Sequence, residues 1–113
     1  MQPLSERHCR PLDSSHPPLS AQQANELLAQ LDDDWLICQD NRQLTRVCSF
    51  KNYYQTMAFV NAVAWIAHQQ DHHPDLVVSY NKCVIHFSTH SIGGLSDNDF
   101  ICAARIDLLC NNG

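Results

Sequence analysis

Apolar residues recur at helical spacing in three stretches of the chain. The first begins at Ser20, which forms a capping-box pattern with Gln23, and its apolar stripe continues to Leu31. The second, residues 53–71, contains neither glycine nor proline, and the third opens at Ser96. The inward-facing positions of the three stretches are, in chain order, Ala24, Leu27, Leu28 and Leu31, then Met57, Val60, Ala64 and Ala67 with Phe59, Val63 and Ile66 widening the face, then Phe100, Ala103, Ala104 and Leu108. The pattern predicts three helices, the longest of them in the middle.

Strand-forming residues fill the gaps between these helices. Residues 35–38 and 44–50 are separated by residues with turn chemistry, which is typical of a hairpin. A second hairpin is predicted from residues 76–80 and 83–89. The predicted order is α-β-β-α-β-β-α, an α+β fold in which a four-stranded antiparallel sheet is covered on one face by helices. The uncovered face and the sheet edges favour self-association.

The first nineteen residues differ in composition from the rest of the chain. Four of the five prolines fall at positions 3, 11, 17 and 18, among serines and charged residues. Such a segment buries too little apolar surface to fold by itself, so we expect residues 1–19 to form a flexible arm. Residues 20–113 are long enough for one hydrophobic core, and the sequence therefore predicts a single domain after the arm.

Charge and cysteine usage narrow the class of protein. A formal net charge of −5, with 12 acidic residues against 7 lysines and arginines, argues against binding to nucleic acid or to an anionic membrane. The six cysteines show no Cys-x-x-Cys spacing, and no signal-peptide pattern opens the chain. No stretch is apolar enough to span a membrane. We therefore expect a cytoplasmic protein with reduced cysteines.

A cluster of histidines stands where the central helix is expected to end. The helix must stop near Asp71, because proline follows the pair His72-His73 and disfavours helical backbone before it. His90 follows the last predicted strand, and Asp99 lies at the start of the last helix. Each histidine alone is typical of a surface residue favoured by a helix dipole. Together, at the ends of elements where functional groups concentrate, they indicate a site.

Two kinds of chemistry could use this cluster. His68 and His72 have the four-residue spacing of zinc-binding pairs, but glutamine replaces the glutamate of the zincin motif, so we expect no metal. The other is general acid–base catalysis, because a helix C-terminus and a carboxylate both raise the pKa of a histidine. Two histidines of different pKa could donate one proton and remove another, as a dehydration requires. No nucleophile motif or glycine-rich phosphate loop is present.

Motifs along most of the chain resemble the pterin-4a-carbinolamine dehydratase family. The matching segments are Asp71-His72-His73-Pro74, Tyr80-Asn81-Lys82, Ser88-Thr89-His90, Gly94-Leu95-Ser96 and Asp99, with Trp35, Phe50-Lys51, Phe59-Val60 and Val63-Ala64 upstream. The resemblance covers about residues 20–110. Any single segment is weak, whereas their combination and spacing are specific.

The resemblance implies that 4a-hydroxytetrahydropterin is dehydrated to quinonoid dihydropterin, which recycles the cofactor of aromatic amino-acid hydroxylases without a metal or bound cofactor. It implies that His72 and His90 form the acid–base pair, that His73 mainly holds the pterin, and that Asp99 supports a histidine. The substrate-binding residues that it implies are Asp71, His72, His73, Pro74, Ser88, Thr89, His90, Ser91 and Trp35. Because family members are dimers or tetramers, a homodimer or homotetramer is expected, with neither nucleic acid nor membrane as a partner.

Two alternatives remain open at this point. Trp35 could serve in the core or at a subunit interface instead of forming an aromatic wall for the pterin. The chain could also be a pterin-binding or oligomeric interaction paralogue that has kept the fold without a physiological dehydratase role. One departure from the family bears on turnover: His68 stands where many members carry glutamate, which would lower the pKa of His72 relative to those members.

Overall fold

A computed structural model describes residues 2–111, which form one four-stranded antiparallel sheet and three α-helices. In chain order the elements are α1 Ala21–Leu28, β1 Leu36–Cys38, β2 Gln43–Ser49, α2 Tyr53–Gln70, β3 Asp75–Val78, β4 Lys82–Phe87 and α3 Asp97–Asn111. Single turns of 3-10 helix lie at Leu4–Glu6 and His90–Ile92. The predicted α+β fold and the order α-β-β-α-β-β-α are confirmed.

The two hairpins join through their second strands. The strand order in the sheet is β1-β2-β4-β3, so β2 and β4 are central and β1 and β3 are the edges. Alternate residues of the central strands face the helices and are buried, as period-two alternation requires. These residues are Leu44, Arg46 and Cys48 on β2 and Cys83, Ile85 and Phe87 on β4.

α2 and α3 cover this face, although some of their buried positions differ from the prediction. On α2 Phe59, Val63 and Ala67 are buried as predicted, whereas Ala64 is exposed. On α3 Phe100, Ala103 and Ala104 are buried as predicted, but Leu108 is 50% exposed, whereas its neighbours Leu109 and Cys110 pack against the core. Helical spacing correctly predicted both helices. It predicted the buried side of each helix only approximately, so that single positions at the margin of that side were misplaced.

The N-terminal segment packs against the rest of the chain in the structure, whereas the sequence predicts a flexible arm. Leu4 is 4% exposed and belongs to the hydrophobic core. Arg7 forms an ion pair with Asp97, and its carbonyl oxygen accepts from the guanidinium of Arg105. Proline content disfavours regular secondary structure but not an extended path across a helix, and the buried Leu4 and the polar contacts of Arg7 hold that path in place.

The sequence predicts that no stretch of the chain is apolar enough to span a membrane. Among residues 2–111, no helix combines the length and the apolar character needed to cross a bilayer.

Candidate active site

The end of α2 positions the first histidine of the predicted site. Asp71 caps the helix in the left-handed conformation, with φ 50° and ψ 43°, which reverses the chain direction in the manner of a helix C-cap. The backbone N–H of His72 then donates to the carbonyl oxygen of Ala67 at 3.2 Å. This turn leads His72 away from the helix axis and against the ring of Phe87, with centroids 5.9 Å apart and ring planes within 6° of parallel.

His72 is bound to the carboxylate that opens α3. The Nε2 atom of His72 lies 2.6 Å from Oδ1 of Asp99, whose side chain is fully buried. The other carboxylate oxygen, Oδ2, accepts from the backbone N–H of Ser96 at 3.0 Å and from the hydroxyl of Thr89 at 2.8 Å. Asp99 therefore caps the helix and holds His72 with the same side chain, and the helix N-terminus favours its negative charge.

A second layer of hydrogen bonds fixes this carboxylate. The backbone N–H of Asn98 donates to the hydroxyl oxygen of Ser96 at 3.2 Å. The Ser96 hydroxyl lies 2.7 Å from that of Thr89, and because Thr89 donates to Asp99, Ser96 donates to Thr89. These polar groups are all buried, so the network is rigid and its geometry is set before any ligand arrives.

The electrostatic balance at His72 favours the imidazolium. Burial by itself lowers the pKa of His72, but the hydrogen bond to Asp99 and the charge of that carboxylate outweigh burial and raise the pKa above its ordinary value. A buried charge is stable only when it is paired, and the Asp99 carboxylate gains its charged partner from His72. The pair thus provides a proton donor that stays protonated to a higher pH than a free histidine does.

The second predicted histidine, His90, lies at the mouth of a small cavity. This cavity of about 260 Å³ is lined by Ser88, Thr89, His90, Arg42, Gly93 and Gly94. His90 is exposed at the start of the 3-10 turn, directly after the buried Thr89. Thr89 therefore links the cavity wall to Asp99 and, through Asp99, to His72. A larger cavity of about 750 Å³ between β2, α2 and the end of α3 is lined by no predicted site residue.

The remaining predicted site residues divide between surface and core. Asp71, His73 and Ser91 are exposed, and Pro74 is half-buried beside them in sequence. Trp35, by contrast, is 2% exposed and donates its indole N–H to Asp107 at 2.7 Å. The structure places Trp35 in the core behind Phe87, with ring centroids 6.2 Å apart, and not on the surface of the site.

Sequence reasoning did not identify two contributors to this region. Arg42 comes from the turn between β1 and β2, and its approach to His90 depends on the pairing of β2 with β4, which no local pattern reveals. The hydroxyl of Ser96 was expected to cap a helix, but its link to Thr89 spans two elements. Within residues 2–111, no three histidine, cysteine or acidic side chains are grouped closely enough to hold a metal ion.

Known protein sequences resemble this chain along most of its length. The profile of the family described as pterin 4 alpha carbinolamine dehydratase matches residues 17–109. A relative from Nitrosomonas eutropha is 58% identical over 94% of this chain and 92% of its own length. One from Legionella pneumophila is 53% identical over 94% of each chain. Both relatives carry the name pterin-4-alpha-carbinolamine dehydratase provisionally.

Solved structures agree with the sequence matches. A crystal structure described as a transcriptional coactivator/pterin dehydratase from Brucella melitensis superposes with a TM-score of 0.77 at 28% identity, covering 81% of this chain and 97% of that one. A pterin dehydratase-like protein described as a RuBisCO assembly factor in the alpha-carboxysome superposes with a TM-score of 0.59 at 25% identity, covering 67% and 88%. By the extent of the profile match and the identity to these relatives, the chain belongs to the pterin-4a-carbinolamine dehydratase family.

Proposed function

We propose that the protein dehydrates 4a-hydroxytetrahydropterin to quinonoid dihydropterin and thereby recycles the tetrahydropterin cofactor of aromatic amino-acid hydroxylases. The observation that carries the proposal is the 2.6 Å contact between His72 and the buried carboxylate of Asp99 in a chain of this family. A histidine held in this way, with its pKa raised, is suited to donate a proton to a leaving hydroxyl.

The reaction needs one proton donated and one removed. In a carbinolamine a hydroxyl and an amine nitrogen share one carbon, so the carbon–oxygen bond breaks as the oxygen is protonated and leaves as water. A proton leaves the pterin ring system as the carbon–nitrogen double bond forms. Acid and base must therefore stand at different positions around the ring, which a single histidine cannot provide.

We assign the acid to His72 and the base to His90. Asp99 occupies Nε2 of His72, which leaves Nδ1 to donate the proton. His90 is exposed and lines the 260 Å³ cavity, so a substrate can reach its imidazole ring there. His73 is exposed beside His72 and has the role of holding the pterin.

The pterin would contact both chain segments that carry these histidines. We assign the contacts to Asp71, Pro74, Ser88, Thr89 and Ser91 in addition to the histidines. Trp35 is the exception, because its buried position behind Phe87 supports a role in shaping the floor of the site instead of direct contact.

The test is a turnover assay with chemically generated 4a-hydroxytetrahydropterin. We expect His72→Ala and His90→Ala each to lower turnover by about 10²-fold or more, the usual weight of acid–base catalysis. The matched control is His8→Ala, an exposed histidine of the N-terminal segment whose removal should leave turnover within about twofold of wild type. Equal losses in all three variants would contradict the assignment.

The alternative is a pterin-binding or oligomeric interaction paralogue that has kept the fold of the family but has no physiological dehydratase role. It is favoured by one comparison, the structural likeness to a protein described as a RuBisCO assembly factor. Wild-type protein that binds a pterin but does not accelerate dehydration above the uncatalysed rate would establish the alternative. The intact His72–Asp99 pair supports the enzymatic function, because a binding role alone does not need a proton donor of raised pKa.

A further inference from the structure

Two cysteines face each other where the N-terminal segment crosses α3. Sγ of Cys9 lies 3.6 Å from Sγ of Cys102, although 93 positions separate them in the sequence. Cys102 is fully buried, whereas Cys9 is half-buried and can be reached from solvent. A disulfide joins sulfurs about 2.0 Å apart, so a modest shift of one side chain would bring this pair to bonding distance.

Hydrogen bonds on both sides of Cys9 hold the pair in place. The backbone N–H of Cys9 donates to Oε1 of Gln70 at 2.8 Å. The next residue, Arg10, is bound twice by the side chain of Asn98, which accepts from its N–H at 3.1 Å and donates to its carbonyl oxygen at 2.8 Å. The segment is thus fixed to the end of α2 and to the start of α3, and the two thiols meet without a search through conformations.

The two thiols differ in reactivity. A hydrogen bond from Cys102 lowers the pKa of Cys9, burial opposes this, and the nearby charge of protonated His72 lowers the pKa further, with a net decrease. The pKa of Cys102 is raised by the hydrogen bond with Cys9 and by burial. Because Cys9 is half-buried and Cys102 is fully buried, an oxidant in solution reaches Cys9 first, so Cys9 is the attacking thiolate and Cys102 is the thiol that reacts second.

We propose that Cys9 and Cys102 are a site of reversible oxidation that a low-molecular-weight disulfide such as oxidised glutathione converts to an intramolecular disulfide. In the first step the Cys9 thiolate attacks one sulfur of the oxidant, forms a mixed disulfide and releases one thiolate. In the second step Cys102 attacks the Cys9 sulfur of the mixed disulfide and releases the second thiol. Two protein thiols are oxidised, and one small disulfide is reduced to two thiols.

The bond would lock the N-terminal segment across the back of the His72 site. Asn98 directly precedes Asp99, and Gln70 stands two residues before His72, so the segment braces both helix ends that carry the pair. In the reduced protein these contacts can open and close, whereas in the oxidised protein they cannot. Because the bridge closes a long loop, it should also stabilise the fold.

A second cysteine pair is the competing site of oxidation. A hydrogen bond with Cys48 lowers the pKa of Cys110 to about 7, with burial opposing and Arg46 assisting. Cys110 lines the 750 Å³ cavity and is also half-buried. The 3.6 Å separation of the two sulfurs and the hydrogen bonds that hold Cys9 and Arg10 in place favour Cys9 and Cys102 as the bridging pair.

The experiment treats the full-length protein with oxidised glutathione and maps every cysteine by proteolysis and fragmentation mass spectrometry. We expect a product that has lost two hydrogen atoms, a Cys9–Cys102 linkage, reversal by dithiothreitol, and a rise in Tm of roughly 10 °C. Cys102→Ser should stop at the mixed disulfide, with glutathione retained on Cys9. Cys38→Ser is the matched control, since Cys38 is half-buried on β1 and should leave the bridge unchanged.

Three results would overturn the proposal. They are a Cys48–Cys110 bridge with Cys9 and Cys102 still reduced, a Cys102→Ser protein that carries no glutathione on Cys9, and a bridge that survives in Cys9→Ser. Both serine variants are checked for folding by circular dichroism, and the wild-type mapping decides the question if either variant is unfolded. None of these measurements depends on dehydratase turnover, so the proposal stands or fails separately from the proposed function.

Discussion

Asp99 is the residue on which the account of the site depends most. Its two carboxylate oxygens accept hydrogen bonds from three separate segments of the chain. The donors are His72 after α2, Thr89 after β4 and Ser96 before α3. The sequence predicted that Asp99 opens a helix and, by resemblance, that it supports a histidine. It could not show that Thr89 shares the carboxylate, because that contact depends on how the ends of β4 and α3 meet.

The first prediction at this scale concerns Asp99→Asn. The amide keeps the size of the side chain but removes the charge that raises the pKa of His72, so the pKa of His72 should fall. We expect turnover to drop by roughly 10²-fold and the pH at which activity is lost on the alkaline side to move lower. The pH–rate profile of the purified variant measures both.

The matched control for this variant is Asp97→Asn. Asp97 lies two residues away, and its ion pair with Arg7 is partly exposed and therefore of small energetic weight. The pH–rate profile of Asp97→Asn should coincide with that of wild type. A profile of Asp99→Asn that has the wild-type shape and position would contradict the role of Asp99 as the group that sets the pKa of His72.

The second prediction concerns stability and pH. Because the pKa of His72 is raised on folding, its contribution to stability is complete below the unfolded pKa of about 6.5 and is lost as pH rises through the folded value. The difference in free energy of unfolding between wild type and His72→Gln should therefore be larger near pH 6 than near pH 9. Urea denaturation at the two pH values measures it.

For this comparison His8→Gln is the reference variant. His8 is exposed in the N-terminal segment, and its substitution should change stability little at either pH. If the stability difference between wild type and His72→Gln grew with increasing pH, the proposed sign of the pKa shift would be wrong.

Among the elements, the N-terminal segment departs most from what the sequence predicts. Helices and hairpins were predictable because apolar periodicity and turn residues are local signals, and their ends agree to within a few residues. The capping box at Ser20 and Gln23 is present, with hydrogen bonds of 2.9 and 3.1 Å. The path of the segment was not predictable from local patterns, because Leu4 and Cys9 pack against residues of α3, which lies near the other end of the chain.

A prediction at this scale tests the anchoring of the segment. Leu4→Ala removes a buried side chain from the core and should lower the free energy of unfolding by about 2–4 kcal/mol. Leu108→Ala, on the half-exposed side of α3, should cost under about 1 kcal/mol. Equal and small losses in both variants would mean that the segment does not pack on the core in solution.

At the scale of the molecule, no element among residues 2–111 covers the second face of the sheet or its two edges. The exposed apolar residues of this sheet are Leu36, Val47, Val77 and Val78. A further exposed aromatic, Trp65, lies on α2 with 60% of its surface accessible. Such surface is typical of proteins that associate. The exposed apolar surface and the resemblance to the dehydratase family both lead us to propose a homodimer or homotetramer.

Sedimentation equilibrium at micromolar concentration tests this proposal. We expect a mass of two or four chains, and a smaller species for Val78→Lys, which places a charge on the edge strand β3. Ser79→Lys, at an exposed position one residue further on, is the control for added charge alone. A wild-type protein that remains a single chain would contradict the proposal.

The most direct test of the central claim is the single-turnover dehydration of 4a-hydroxytetrahydropterin by wild type and by the double variant His72→Ala/His90→Ala, followed by stopped-flow absorbance. We predict that wild type accelerates the loss of water well above the uncatalysed rate and that the double variant, folded by circular dichroism, returns close to that rate. Dehydration by the double variant at the wild-type rate, or no acceleration by wild type, would contradict the claim.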